Sequence, residues 1–294
     1  MRSNISNSAM LFLADPPVQM PGQGQIPLPA DPHADQTVAW VVTVLLYVGA
    51  AAAVGWASWK LVREREALPL VLVVAGVLAA NIEPLGDATG AIVYAADIPW
   101  FHYTIMGRSM PAFILIGTMP YVAMGGYYAY RYIAEGRSLR DIIMLSAVYV
   151  GIPEIVVEMA LHHFGIITYY GDNPTRILGI PLYSIVQNTT LLPVYGIVVY
   201  FCVRYLRGAN LLWIILFIPA VTIGYIVGVS WPAYQAVQSS APWPITWLAG
   251  IVVCVTSLAA TYMLLQIPAL RELRERAQRS PEAVAGRHSV PENA

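Results

Sequence analysis

Seven long apolar runs alternate with short polar stretches along the chain, at approximately 38–61, 68–93, 110–133, 141–165, 182–206, 211–235 and 244–267. Each approaches or exceeds the roughly 20 residues that a helix needs to cross about 30 Å of hydrocarbon. Inside a bilayer no water is present to bond the backbone, so a spanning segment must be a helix or part of a closed barrel. The runs are continuous and lack the in–out alternation of barrel strands. The pattern therefore predicts an all-α fold, a polytopic membrane bundle of seven transmembrane helices over 37–268. A Pro-, Gln-, Gly- and Asp-rich leader over 1–36 reads as a flexible extracytoplasmic tail, and 269–294 as a polar cytoplasmic tail. In that tail, RELRERAQR at 271–279 is expected to prolong the last helix.

The basic residues set the orientation. With seven alternating helices, thirteen of the 16 Lys and Arg fall on one side, in the 60–65, 131–140 and 204–207 connections and after residue 270. Only Arg2, Arg108 and Arg176 fall on the other. The N-terminus is therefore placed outside, the C-terminus in the cytoplasm, and the chain in the cell membrane as a multi-pass protein. Composition agrees, with 57% hydrophobic and 11% charged residues, against roughly 45–50% and 25% in soluble chains. A net charge of −1 gives no basic field for nucleic acid. Two cysteines, Cys202 and Cys254, build neither a disulfide framework nor a Cys-based zinc site.

Against this background the acids stand out. A carboxylate at the centre of a membrane helix costs about 2.5–3.5 kcal/mol on insertion scales. The second run carries Glu83 and Asp87 in NIEPLGD, and the fourth carries Glu154, Glu158, His162 and His163 in PEIVVEMALHHFG. At about 1.5 Å per residue, Glu154 falls near mid-membrane, and the others lie in the outer half. Glu83 and Asp87 are spaced i, i+4, and Glu154, Glu158 and His162 i, i+4, i+8, so each set is expected on one helix face. Two acidic stripes at matching depth suggest one shared polar cavity opening outward. Pro84 and Pro153 beside the first acid of each set are positioned to kink the helices there.

The outer connections continue the theme. One holds Trp100, His102, Tyr103 and Arg108, and the other Tyr169, Tyr170, Asp172 and Arg176, with Gln187 and Asn188 at the start of the fifth run. Each feature also has a structural reading. Glu158 and His162 can neutralise each other, Glu83 and Asp87 can end a helix at the interface, and the aromatics can form an interfacial belt. Arg108 and Arg176 can bind headgroups, and His163, facing away from His162, is read as structural.

A carboxyl in a low-dielectric pocket can act as a Brønsted acid while a better-solvated neighbour acts as base. Aromatic walls shelter a cationic intermediate. The combination suits proton-initiated cyclisation, dehydration or isomerisation of a lipophilic substrate, with no cofactor and no metal. A retinal protein is excluded because the only lysine, Lys60, sits at a helix end. No phosphate-binding G-x-x-x-x-G-K-[ST] loop is present, and E-x3-E-x3-H is not the Glu-x-x-His pattern of di-iron bundles.

The segment EPLGD at 83–87, the polar aromatic stretch after it, EMALHHFGIITYYGD at 158–172 and IPLY at 180–183 resemble the AveC-like membrane spirocyclase family of polyketide pathways, over roughly residues 80–190. Glu83 and Asp87 stand where an Asp and an Asn are expected in that family. In architecture and chemistry the chain also resembles the small integral-membrane terpene cyclases. Both resemblances imply a non-redox membrane cyclase of specialised metabolism, acting on a terpenoid or polyketide and partnered by other enzymes of its pathway. On this reading Glu158 or Glu154 is the general acid, Glu83 and Asp87 are its partners, and His162 tunes or relays the proton. Trp100, His102, Arg108, Tyr169, Tyr170, Asp172, Arg176 and Asn188 form the substrate-binding mouth. The alternatives are a proton-coupled transporter using the same acids and a non-enzymatic scaffold or sensor.

Overall fold

A computed structural model describes residues 32–105 and 108–285. The expectations for the leader up to residue 31, Arg2 included, and for Arg287 and the end of the tail lie outside these residues. Among the described residues, six helices are long and apolar enough to cross a membrane. They are Gln36–Glu64, Leu68–Gly90, Leu139–His163, Leu182–Tyr205, Gly208–Val237 and Trp243–Leu265. The third expected run is also helical, as α4 (Phe113–Pro120), a π turn (Tyr121–Gly126) and α5 (Tyr127–Ala134). Its tyrosines, glycines and Arg131 leave it less apolar than the six.

The other elements follow in order. The first helix is α1 (Gln36–Trp59), whose N-terminus is capped by Asp35 accepting from Val38 N at 3.0 Å. Helix α2 (Leu68–Ala79) passes through a 3-10 turn at Ala80–Ile82 into α3 (Glu83–Gly90). Helix α6 (Leu139–Ser146) starts in a capping box made by Ser138 and Asp141, then widens into a π turn at Ala147–Gly151 before α7 (Ile152–His163). After α7 come α8 (Leu182–Tyr205), α9 (Ile214–Val237), α10 (Trp243–Leu265) and α11 (Pro268–Ala285).

Of the five irregular helical turns among the described residues, the three at Ala80–Ile82, Tyr121–Gly126 and Ala147–Gly151 lie beside a proline, while the π turn at Lys60–Glu64 and the 3-10 turn at Gly208–Trp213 do not. Pro84, Pro120 and Pro153 have no N–H to offer the carbonyl one turn earlier, so the helix loosens or tightens beside each of them. The π turns at Tyr121–Gly126 and Ala147–Gly151 are tied together, because the Tyr149 hydroxyl donates to the Pro120 carbonyl at 3.1 Å. The tail departs from expectation. Residues 271–279 do not prolong α10, which ends at Leu265. They belong to the separate helix α11, since Pro268 cannot continue a helix but suits the first turn of a new one. Leu270 of α11 packs with Ile133, Ile142 and Leu265.

Helix α8 is the centre of the bundle, 72% buried over its most apolar stretch against 22% for α1. It packs on α5, α9 and α10, while α2 packs on α9 and α4. The core joins Leu72, Val122, Leu191, Val194, Tyr195 and Ile218. At the α5–α8 crossing a Cβ on Gly196 would lie 2.7 Å from the Ala129 backbone, so only glycine permits this approach. Outward faces of α1 and α10 expose Leu45, Val48, Leu248, Val255 and Leu258. Apolar faces of this extent belong against hydrocarbon, and the chain is a membrane protein by this measure.

The connections after α3 and after α7 are not irregular loops throughout. Strand β1 (Ile92–Tyr94) pairs antiparallel with β4 (Ile167–Tyr169), putting Ile92 opposite Tyr169 and Tyr94 opposite Ile167. Two hairpins flank this ladder, β2 (His102–Ile105) with β3 (Arg108–Pro111), and β5 (Arg176–Ile177) with β6 (Ile180–Pro181). Because β1 follows α3 and β4 follows α7, the β1–β4 ladder draws the ends of the two acid-bearing helices together. Residues 32–35, assigned to the flexible leader by sequence, are bound into this cap. Asp35 N donates to Phe164 O at 2.9 Å, and Ala34 N to Asp97 Oδ1 at 2.9 Å.

Candidate functional site

Helix α3 presents Glu83 and Asp87 one turn apart, and α7 presents Glu154 and Glu158 one turn apart. Three of these acids meet: Glu83, Asp87 and Glu158 line a single chamber of about 90 Å³. Its remaining walls come from β1, β4, α8 and α9, through Tyr94, Tyr169, Tyr183, Asn188 and Tyr234 among others. A second cavity of about 440 Å³ adjoins it. Glu83, Tyr94, Glu158 and Asn188 line both. This vestibule lies between α1, α4, α7 and α8 and also takes in Glu154, but its walls are largely aliphatic and aromatic, including Leu45, Phe113, Val157 and Leu191. The volume falls within the roughly 300–1,000 Å³ of small-molecule sites. The site is thus a small acidic chamber at the end of a larger apolar one.

The acids fall into two pairs by their partners. Glu83 Oε1 accepts from the Tyr94 hydroxyl at 3.1 Å. Glu158 Oε2 accepts from the Tyr169 hydroxyl. Burial pushes both phenols well above the ordinary tyrosine value, so they remain donors. Asp87 is 2% exposed and its Oδ2 has no hydrogen-bond partner. Glu154 Oε1 accepts from Asn188 Nδ2, and its buried Oε2 has none. A buried polar atom without a partner costs about 1–3 kcal/mol, so these two oxygens are the places where a ligand's donor is worth most.

The wall is held by a layer of polar contacts. Asn173, 6% exposed, donates from Nδ2 to Gly90 O (3.0 Å), Ala91 O (3.3 Å) and Tyr170 O (2.9 Å). Its Oδ1 accepts from Tyr183 at 3.3 Å. It thereby satisfies a carbonyl that the end of α3 leaves open. Tyr121 donates to the Asn188 carbonyl at 2.7 Å, fixing the residue that bonds Glu154.

Of the residues expected to form the mouth, Tyr169 and Asn188 line the chamber. The others build the cap. His102 bonds Ile98 O at 2.7 Å and Ser109 at 3.0 Å within its own hairpin region. Arg108 donates to Ile92 O (2.6 Å) and Tyr170 OH (2.7 Å), and its charge acts on Asp87 from behind the wall. Arg176 donates to Tyr169 O. Trp100 packs edge-on against Tyr47 and Trp40 of α1, at 4.6 and 5.7 Å between ring centroids. Asp172 is exposed.

His162 also departs from expectation. Eight residues on from Glu154 the helix has turned by about 80°, and the ring lies outside both cavities. It packs on Tyr169, and a Cβ on Gly179, which has φ +88°, would collide with it. Its Nδ1 is buried without a partner. His163 faces Phe164.

Apart from Tyr169, the tyrosines that line the chamber, Tyr94, Tyr183 and Tyr234, carry no signal in the sequence. Tyr94 is eleven residues past Glu83 and reaches it only because β1 folds back. Tyr234, within α9, carries no local signal beyond a phenol in an apolar helix. Among the described residues no three His, Cys, Asp or Glu side chains converge as a metal centre. No protein-family model, curated protein or solved structure matches the chain.

Proposed function

We propose that the chain is an integral-membrane acid–base enzyme that cyclises, dehydrates or isomerises a lipophilic terpenoid or polyketide without redox chemistry. The observation that carries this is the meeting of Glu83, Asp87 and Glu158, from two different helices, in one chamber that continues into an apolar vestibule. The substrate's apolar body occupies the vestibule, and its reacting end lies among the acids. Asp87, whose Oδ2 has no protein partner, delivers a proton to an alkene, epoxide or carbonyl oxygen. Glu158 and Glu83, each oriented by a phenol, stabilise the cation and take a proton back. One proton enters the substrate and one leaves, with water departing from the protonated hydroxyl where the reaction is a dehydration, so no oxidant or reductant is needed. Glu154 binds polar groups in the vestibule, and His162 supports Tyr169 from outside.

The helical stretch 113–134 serves as a seventh span in this reading, with the N-terminus outside and the C-terminus in the cytoplasm. The likeness of EPLGD and the 158–183 stretch to AveC-like spirocyclases fits the same reaction class. Below the vestibule the packed core of Leu72, Val122, Val194 and Ile218 favours an enzyme over a permease, which needs a route to the other side.

The test is metabolite profiling of cells that express the chain together with its neighbouring biosynthetic genes. General acid–base catalysis contributes roughly 10²–10⁴-fold, so Asp87→Asn and Glu158→Gln, at matched protein levels, are each expected to reduce product by about 100-fold or more. Unchanged product in both variants refutes the reading.

A further inference from the structure

The vestibule has a side that the acid–base reading does not use. A third cavity, about 360 Å³, lies between α4 and α7 and is lined by Pro120, Tyr149, Pro153 and Val157 among others. Gly117, Tyr121, Glu154, Val157 and Asn188 line both this cleft and the vestibule. The two spaces therefore meet across the α4–α7 gap. Three features leave a gap beside the Tyr149–Pro120 hydrogen bond, which ties the end of α4 to the turn before α7. Helix α7 has no fully buried residue. A π turn sits at the end of α4 and another at the start of α7, each beside a proline. The small Gly117 stands on the α4 side. The outer face around the cleft is apolar and exposed, with Val148, Ile152 and Val156 presented outward from a candidate span. Facing inward across the gap is one carboxyl side chain common to both cavities, Glu154, with its buried Oε2 free of any protein partner.

We propose that the α4–α7 cleft is a lateral portal by which a single-chain amphiphile bearing a hydroxyl group passes from the bilayer to the acid chamber, and that Glu154 is its first polar binding residue. A hydroxyl fits better than an ammonium, because a charged head at this depth carries the membrane cost of a buried ion. A hydroxyl also donates to Glu154 Oε2, which lacks a donor. The inference rests on the acid–base reading for the fate of the ligand; its own content is the route and the ligand class.

The test uses the full chain in phospholipid vesicles. Lipophilic N,N′-dicyclohexylcarbodiimide and a water-soluble carbodiimide are compared, and the modified carboxyl is located by peptide mass spectrometry. The reagent adds to a carboxyl group and rearranges to a stable N-acylurea, so no other reactant is required. The lipophilic reagent is expected to modify Glu154, and the water-soluble one is not. Val157→Trp, at an exposed position lining both cavities, is expected to abolish that labelling; Gly117→Leu provides a second plug from the α4 side. 1-Dodecanol is expected to protect Glu154 at about fivefold to tenfold lower concentration than dodecyl methyl ether, the gain from one hydrogen-bond donor.

Equal labelling by both reagents, no labelling of Glu154, or labelling indifferent to both plugs overturns the portal. Equal protection by alcohol and ether overturns the hydroxyl assignment. Failure of the catalytic reading looks different: Glu154 labels from lipid as described, while Asp87→Asn and Glu158→Gln leave product unchanged.

Discussion

Asn173 offers the sharpest test of how the cap holds the chamber. Replacing it with aspartate keeps the shape and the Oδ1 acceptor for Tyr183, but exchanges the Nδ2 donor for an oxygen. That oxygen then faces the carbonyls of Gly90, Ala91 and Tyr170, now 2.9–3.3 Å from Nδ2. Ala91 O retains the N–H of Tyr170 at 2.9 Å, so only Gly90 O and Tyr170 O lose this donor without such a replacement. At about 1–3 kcal/mol for each buried unsatisfied group, Asn173→Asp is expected to destabilise by roughly 2–6 kcal/mol at neutral pH. Once protonated, the introduced carboxyl can donate again, so the folded state favours the neutral acid and raises its pKa. The variant is therefore closest to wild type below about pH 4, the ordinary aspartate value, and loses stability as pH rises through the interval up to its folded value. Thermal unfolding in detergent, followed by tryptophan fluorescence at about pH 4 and about pH 8, measures the difference against wild type. A variant within about 0.5 kcal/mol of wild type at both pH values would show that Asn173 does not carry the α3–β4 junction. A large loss with no pH dependence would refute the lone-pair argument specifically.

The neighbouring contacts give further expected outcomes. Gly179→Ala places a methyl group at φ +88° and into the His162 ring, so a loss of about 1–3 kcal/mol is expected in the same unfolding assay. Tyr169→Phe removes the donor to Glu158; hydrogen bonds to charged groups are worth about 1.5–3 kcal/mol, so turnover should fall by roughly 10- to 150-fold with protein level unchanged. The Ala34 N–H bonded to Asp97, followed by the nearby His33, holds that carboxyl below its ordinary range. Asp97 therefore stabilises the 32–36 junction above the ordinary aspartate pKa and ceases to do so as pH falls through its lowered folded value, and Asp97→Asn removes this pH dependence; amide exchange of residues 33–36 reads both.

The membrane-spanning pattern was legible because a continuous apolar run about 20 residues long matches the thickness of a bilayer and little else in a folded chain. The i, i+4 spacing put Glu83 with Asp87 and Glu154 with Glu158 as the structure does. What the spacing could not supply was the eighth-residue drift that carries His162 away, or the partners arriving from other segments. Tyr94, Tyr183 and Tyr234 meet the acids through the β1 reversal and through α8 and α9, contacts that no local period encodes. The loop residues misled for a related reason. Arg108, Arg176 and His102 have chemistry suited to ligands, but carbonyls withdrawn from water in the connections also require donors, and here the carbonyls of Ile92, Tyr169 and Ile98 take them.

Helix α7 is gripped at its ends more than along its length. Its C-terminal end abuts Phe164, whose carbonyl receives the amide of Asp35, just ahead of the first helix. A chain shortened to begin at Gln36 would keep every spanning segment yet lose that latch. Purification handles and fusion partners are therefore safer on the far side of residue 32 than spliced directly onto the first helix. An otherwise intact protein prepared without the latch would be a misleading negative control for activity.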